Sequence, residues 1–191
     1  MWKWIFFSDE SKFLPFKSNG YQYAWFKPRQ ALDPCFVQNA IKHGARNIMV
    51  WGCVAGQGMG RLHQIDGIMC STNYVEILKK SYLRTLKDYD LKHSRPERVL
   101  FQQDNDPKHT SKVTKDFFAK RRIKVLDWVP SSPDMNITKH VWDQLDHLVQ
   151  SCNPLPHNRD ELWEALQEEW ENFPKMPLIS FMRACYVVLQ P

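Results

Sequence analysis

Val99-Leu100-Phe101-Gln102-Gln103-Asp104-Asn105-Asp106-Pro107-Lys108-His109-Thr110-Ser111-Lys112 is the stretch whose reading decides the fold. Val99 to Gln103 reads as a short strand that delivers Asp104 at its end, and Pro107 closes it. A helix then follows from about Ser111 to Lys120, with Val113 and Phe117 on one face. An acid at the end of a strand that turns into a helix sits where layered α/β sheets commonly place their ligands.

Working outward, Trp4 to Phe7 reads as a first strand that ends at a second acid, Asp9. Tyr21 to Phe26 alternates aromatic residues like another strand and is stopped by Lys27-Pro28. Ile48 to Ala55 is a continuous apolar run, the pattern of a strand buried on both faces. Gly56, Gly58 and Gly60 punctuate a turn before a further strand at Leu62 to Ile65. No lysine or helix start follows them in the context of a nucleotide-binding loop.

Asn73 with Glu76 three residues on predicts a capped helix, and Val75, Leu78, Tyr82 and Leu86 continue it at helical spacing. Ile123 to Leu126 reads as a short strand, and Pro130 and Pro133 as a rigid loop. Val141, Leu145 and Leu148 share one helical face, and Leu162, Leu166 and Trp170 another. The order is strands, then strand–helix alternation, then helices. That predicts an α/β domain in which helices pack on a mixed sheet. If the strands ending at Asp9 and Asp104 are neighbours, the two carboxylates meet at one edge.

The composition is compatible with this. The chain has 191 residues, 43% of them hydrophobic, with eight Trp and eleven Phe. Trp128, Trp142, Trp163 and Trp170 are expected in the core. No apolar run reaches the roughly 18 residues of a membrane span. The five cysteines form no C-x-x-C pair, which speaks against a zinc site or a disulfide framework and for a reducing compartment. The net charge of +5 is unevenly spread. Residues 108–124 hold seven Lys/Arg and one acid, whereas residues 158–175 hold six acids and two Lys/Arg.

Two-metal phosphoryl chemistry needs carboxylates that converge from separate elements on two ions roughly 3.5–4 Å apart. Two acids at strand ends are weak grounds for it, since an isolated Asp there is more often a turn or cap residue. A resemblance adds to that reading. FSDESKF (Phe7 to Phe13), YAWFKP (Tyr23 to Pro28), the block from Lys42 to Met69, FQQDNDPKHTSK (Phe101 to Lys112), VLDWVPSSPDMN (Val125 to Asn136), VWDQLD (Val141 to Asp146) and ELWEALQEEW (Glu161 to Trp170) occur in order over nearly the whole chain. Together they resemble the catalytic domain of a Tc1-like transposase, in the Tc1/mariner superfamily.

The resemblance implies an RNase H-like mixed sheet flanked by helices, as one domain over 1–191 with a helical extension over 151–191. It also implies a D,D,E triad whose last two members have 34 residues between them. Asp9 and Asp104 match the first two acids and would hold Mg²⁺ or Mn²⁺. The third position is occupied by Lys139, within Ser132-Pro133-Asp134-Met135-Asn136-Ile137-Thr138-Lys139-His140. Both flanks keep register while residues 137–140 depart from the family pattern, so the acid is replaced and not displaced.

An ammonium has donors and no acceptor, so it cannot ligate a metal. Facing the acids, Lys139 would serve as their counter-ion, with about 4 kcal/mol between unit charges about 4 Å apart at an effective dielectric of about 20. Metal binding is therefore expected to be impaired. Of the nearby acids, Asp143 lies one turn further along, Asp134 precedes the helix and Glu10 adjoins Asp9; none is expected to stand in. Asp143 matches an acid of the family's own, and one turn is too long a reach for contacts of about 2.1 Å.

Lys108, His109, Lys112, Lys115, Arg121 and Arg122 are the candidate DNA contacts, with phosphate at a helix N-terminus as one mode and a solvated helix face as the alternative. The family's helix-turn-helix region has no counterpart in the sequence, so specific recognition has no evident carrier and DNA binding is expected to be weak and non-specific. No membrane partner is expected, and a homodimer is compatible with the sequence. The compartment that the resemblance implies is the nucleus, with the cytoplasm as the alternative. The expected function is that of a degenerate, catalytically silent transposase domain. A non-catalytic nucleic-acid-binding or dimerising module and a residually active metal-dependent nuclease are the alternatives.

Overall fold

A computed structural model describes residues 4–15, 47–90, 98–127 and 136–174. Strand β1 (Ile5–Phe13) is followed by β2 (Ile48–Ala55), β3 (Gly58–Met59) and β4 (His63–Ile65). One long helical segment then comprises α1 (Ser71–Ile77), a π-helical turn (Leu78–Tyr82) and α2 (Leu83–Asp88). After it come β5 (Leu100–Gln102), the short helix α3 (Pro107–Thr110), α4 (Lys112–Arg121), β6 (Lys124–Val125), α5 (Ile137–Gln150) and α6 (Arg159–Glu171).

The sheet has six strands in the order β3-β2-β1-β5-β6, with β4 also paired to β2. β2 runs antiparallel to β1, β3 and β4, while β1–β5 and β5–β6 are parallel. This is the mixed sheet with flanking helices that the element order predicts. The strand expected at Tyr21–Phe26, the loop around Pro130 and Pro133, and Trp128 lie outside the described residues.

Alternation along the strands builds two cores. Ile5, Phe7 and Phe13 of β1 face the same side as Ile48, Val50 and Val54 of β2, where α5 and α6 cover them with Val141, Trp142, Leu145, Leu162, Leu166 and Trp170. Phe6, Trp51, Cys53 and Phe101 face the other side, under Tyr74, Leu78 and Tyr82 of the long helical segment and Phe117 and Phe118 of α4. The sheet is the middle of three layers, and the buried strand side chains divide between the two cores by their parity.

Several boundaries differ from expectation. The first strand does not stop at Phe7 but runs to Phe13, because β2 pairs with it as far as Phe13↔Ile48. Asp9 therefore lies within β1, opposite Gly52, and only Asp104 follows a strand end. The first helix starts at Ser71 with Cys70 as its N-cap, ahead of Asn73, because the Cys70 carbonyl already accepts from the Tyr74 N–H. Val113 is 47% exposed; α4 turns Thr114, Phe117 and Phe118 inward instead. Trp142 and Trp170 are core residues as expected, and Trp163 is half-buried.

Gly52 has a specific task. The rings of Trp142 and Trp170 stack at 5.1 Å over it, and a Cβ at this position would lie 2.7 Å from the Trp142 ring and 2.8 Å from that of Trp170. The bare backbone lets both tryptophans settle on the sheet and brings α5 down beside Asp9. Gly52→Ala is expected to cost about 1–3 kcal/mol through overpacking, read as a lower midpoint in denaturant unfolding.

Candidate active site

Asp9 points to the α5 side of the sheet. Its Oδ1 accepts the Glu10 N–H at 2.9 Å, and its Oδ2 accepts the Thr138 hydroxyl at 3.2 Å and the Asn136 amide at 3.5 Å. Asn136 is the N-cap of α5 and also accepts the Thr138 N–H, so the helix start and the acid share one small polar cluster. Burial pushes the Asp9 carboxyl up to about 6, with the charges of Glu10 and Asp104 adding to the effect.

Asp104 stands just past β5 and meets the opposite flank. Its Oδ1 accepts from His109 Nδ1 at 2.5 Å and from the Asp106 N–H at 3.1 Å. His109 is 3% exposed, and its Nε2 lies 3.1 Å from Glu10 Oε1. With a carboxylate at each ring nitrogen, the imidazole is held as the doubly protonated cation. Burial works against that charge, but the hydrogen bonds to Asp104 and Glu10 outweigh it and raise the pKa to about 9. The same His109 bond is the main cause that holds Asp104 below its ordinary value.

Lys108 adds a second cation, 2.7 Å from Asp106 and 3.6 Å from Glu10. Burial opposes its charge, yet its acidic partners shift its pKa upward. Asp106 caps α3 by accepting the Lys108 N–H, with Pro107 at the first helical position.

Lys139 is the third residue of α5 and is exposed. Among the described residues it forms no ion pair with Asp9 or Asp104, so it is not their counter-ion. Helix geometry explains the difference: Thr138, one residue earlier and 1% exposed, takes the inward direction and reaches Asp9. The resident cations are His109 and Lys108.

The other predicted residues divide clearly. Lys112, Lys115, Arg121 and Arg122 are exposed. His109 is buried with both ring nitrogens occupied, and Lys108 is tied to two acids; neither is free to meet a phosphate. Glu10 lies on the face of β1 opposite to Asp9, Asp143 is solvent-exposed on α5, and Asp134 is outside the described residues.

Thr138, Asn136, Tyr74 and Gln103 are parts of the polar cluster that the sequence pattern does not announce. Asn136 as a helix cap has a local signal, its position before an amphipathic run. The contacts of Tyr74 and Gln103 have none.

The donor set can be tested against the two divalent ions that such sites employ. Asp9 and Asp104 are two possible ligands, but the position where the family resemblance expects a third acid holds the exposed Lys139. Among the described residues no three His, Cys, Asp or Glu side chains converge as a metal-binding group. The described residues do not fit two ions.

A mixed sheet with one acid inside the central strand, a second after the parallel neighbouring strand and a helix start beside them defines the RNase H-like class. The Mos1 mariner strand transfer complex superposes with a TM-score of 0.71 at 18% identity, over 97% of this chain and 51% of that one. The Mos1 transposase catalytic domain with Raltegravir and Mn gives 0.67 at 16%, over 98% and 84%.

The Tcb2 transposase of Caenorhabditis briggsae is 35% identical over 187 residues, covering 96% of this chain and 66% of its own length. The Tc1 transposase of Caenorhabditis elegans is 33% identical over 193 residues, covering 98% and 68%. No family model matches. The chain belongs to the Tc1-like transposases of the Tc1/mariner superfamily and carries their catalytic domain. It spans about two thirds of the length of these curated relatives.

The buried charge on Asp9 has a measurable consequence. Its folded pKa of about 6 exceeds the ordinary 3.8, so the fold binds this proton more tightly than the unfolded chain does. The penalty is absent below pH 3.8 and complete above about 6. With chelator present, Asp9→Asn should therefore stabilise the protein by about 1–3 kcal/mol at pH 7 and by much less at pH 4. Urea unfolding at the two pH values checks this.

Proposed function

We propose that this chain is a transposase catalytic domain that binds DNA without cutting it. One observation carries the reading: after the 34 residues that follow Asp104, where the family resemblance expects the third acid, the sequence holds Lys139 at the start of α5. In an in-line displacement at phosphorus, two ions stabilise the attacking and the leaving oxygen. Removing one ligand weakens the second ion's site by lost coordination, and the exposed Lys139 ammonium has no lone pair with which to replace it. Mos1 structures contain Mn or Mg, which supports a divalent ion as the family's cofactor.

The surface supports DNA as the remaining partner. Lys112, Lys115, Lys120, Arg121 and Arg122 lie exposed along α4 and its end, with Lys124 on the next strand. Arg122 has left-handed backbone (φ 54°) as the C-cap, so the basic run turns a corner instead of continuing the helix. The acids of α6 lie on the other side of the sheet. A polyanion would meet α4 and be repelled by α6. Mos1 complexes with a transposon end support the same class of partner.

Plasmid nicking with Mn²⁺ tests the enzymatic half. The unmodified chain and Asp104→Ala should both leave supercoiled DNA intact, and Lys139→Glu should gain activity. Cleavage by the unmodified chain that Asp104→Ala abolishes would show that the reading is wrong.

Retention on immobilised duplex DNA tests the other half. Elution should move to lower salt in Lys115→Ala/Arg121→Ala, with the salt slope falling by about one for each phosphate no longer neutralised. Binding that is indifferent to ionic strength would exclude this surface.

A further inference from the structure

We infer that His109 is the positioning residue of Asp104, a clamp that fixes this acid from the side of the sheet opposite to α5. Its ring is held on every side by other elements. Nδ1 meets Asp104 Oδ1 at 2.5 Å, and Nε2 meets Glu10 Oε1 at 3.1 Å. The ring lies against Tyr74 of α1, with centroids 4.1 Å apart and planes 36° from parallel. The Tyr74 hydroxyl donates to Gln103 Oε1 at 2.9 Å, and Gln103 Nε2 donates to the His109 carbonyl at 3.1 Å. The circuit closes on the residue next to Asp104.

The ring thus joins the side chain of β1 that faces away from Asp9 to the acid that follows β5. It leaves Oδ2 of Asp104 outside its own contacts. A carboxylate held through one oxygen is restricted to a single rotamer while its other oxygen can serve as a ligand. Hydrogen-bond partners behind metal ligands typically act in this way, and their loss weakens metal binding about 10–100-fold.

None of these contacts involves α5. The clamp is therefore indifferent to Lys139, and it holds Asp104 whatever residue stands at position 139. This rests on the reading of Lys139 as the replaced acid: a site whose remaining half is held in shape needs one residue to be completed.

The experiment has two arms. In the first, three-bond couplings report the Asp104 χ1 rotamer in the unmodified chain with chelator present. A single rotamer is expected there and rotamer averaging in His109→Ala. His109→Gln keeps volume against Tyr74 and one donor, and should recover part of the order. Glu10→Gln releases only the far anchor and should loosen Asp104 partially, which keeps the test decisive if His109→Ala does not fold. Equal order in all of these proteins would overturn the clamp.

In the second arm, calorimetry measures Mn²⁺ binding to Lys139→Glu and to Lys139→Glu/His109→Ala. The expected result is binding by the first and at least tenfold weaker binding by the second. Equal affinities, or no binding by Lys139→Glu, would overturn the inference. Mn²⁺ binding or nicking by the unmodified chain would instead overturn the functional reading and leave the rotamer result standing, so the two failures are distinguishable.

Discussion

The pleat of β1 is the constraint on which the rest depends. Successive side chains of a strand point to opposite faces, so neighbours in sequence are separated by the thickness of the sheet. Asp9 faces α5 and meets Thr138 and Asn136, while Glu10 faces the other layer and meets His109 and Lys108. A shift of one residue in the β1–β2 register would exchange the two acids and also turn Phe7 out of its core. The hydrophobic patterning that fills both cores is therefore also what aims the carboxylates.

Around that strand the sheet is covered in two different ways. On the α5–α6 side, two tryptophans stack directly on the Gly52 backbone, and the Trp170 indole N–H donates to the Gly60 carbonyl. The packing there is close and largely apolar, apart from the cluster at Asp9. On the other side a helical segment with a π-turn lays Tyr74 and Tyr82 over β1 and β5. π-turns insert one extra residue into the helical ladder and occur often beside functional sites. Here the turn follows Tyr74, the residue that supports His109.

The electrostatics of the site follow from unequal burial. Asp9 sits in an apolar surround with hydroxyl, amide and N–H donors, and its charge is disfavoured. Asp104 has a cation in contact, and its charge is favoured. Two carboxylates of the same type are thereby pushed in opposite directions by their surroundings. Lys139 lies at the start of α5, where a cation meets the positive end of the helix dipole and a glutamate would be favoured. A lysine at this position is thus unfavourable for the local helix.

Much of the fold was legible because its signals are local. The apolar run at 48–55, the helical spacing of Val75, Leu78, Tyr82 and Leu86, and the faces of α5 and α6 all depend on periodicity, and all have buried counterparts. The length of β1 was not legible, because Ser8 to Lys12 is polar and is kept in the strand by pairing with β2. Val113 was misplaced because one apolar residue on a short helix does not define its inner face, whereas Phe117 and Phe118 together do.

By itself the sequence determined the family, through motifs that occur in order over nearly the whole chain, and it set the distances along the chain between Asp9, Asp104 and Lys139. Only the tertiary structure decided what touches the acids. It placed Thr138 and not Lys139 at Asp9, and it turned His109 from a surface candidate into a buried cation between two strands. Contacts between residues about a hundred positions apart are set by strand pairing and layer packing, and no short-range pattern encodes them.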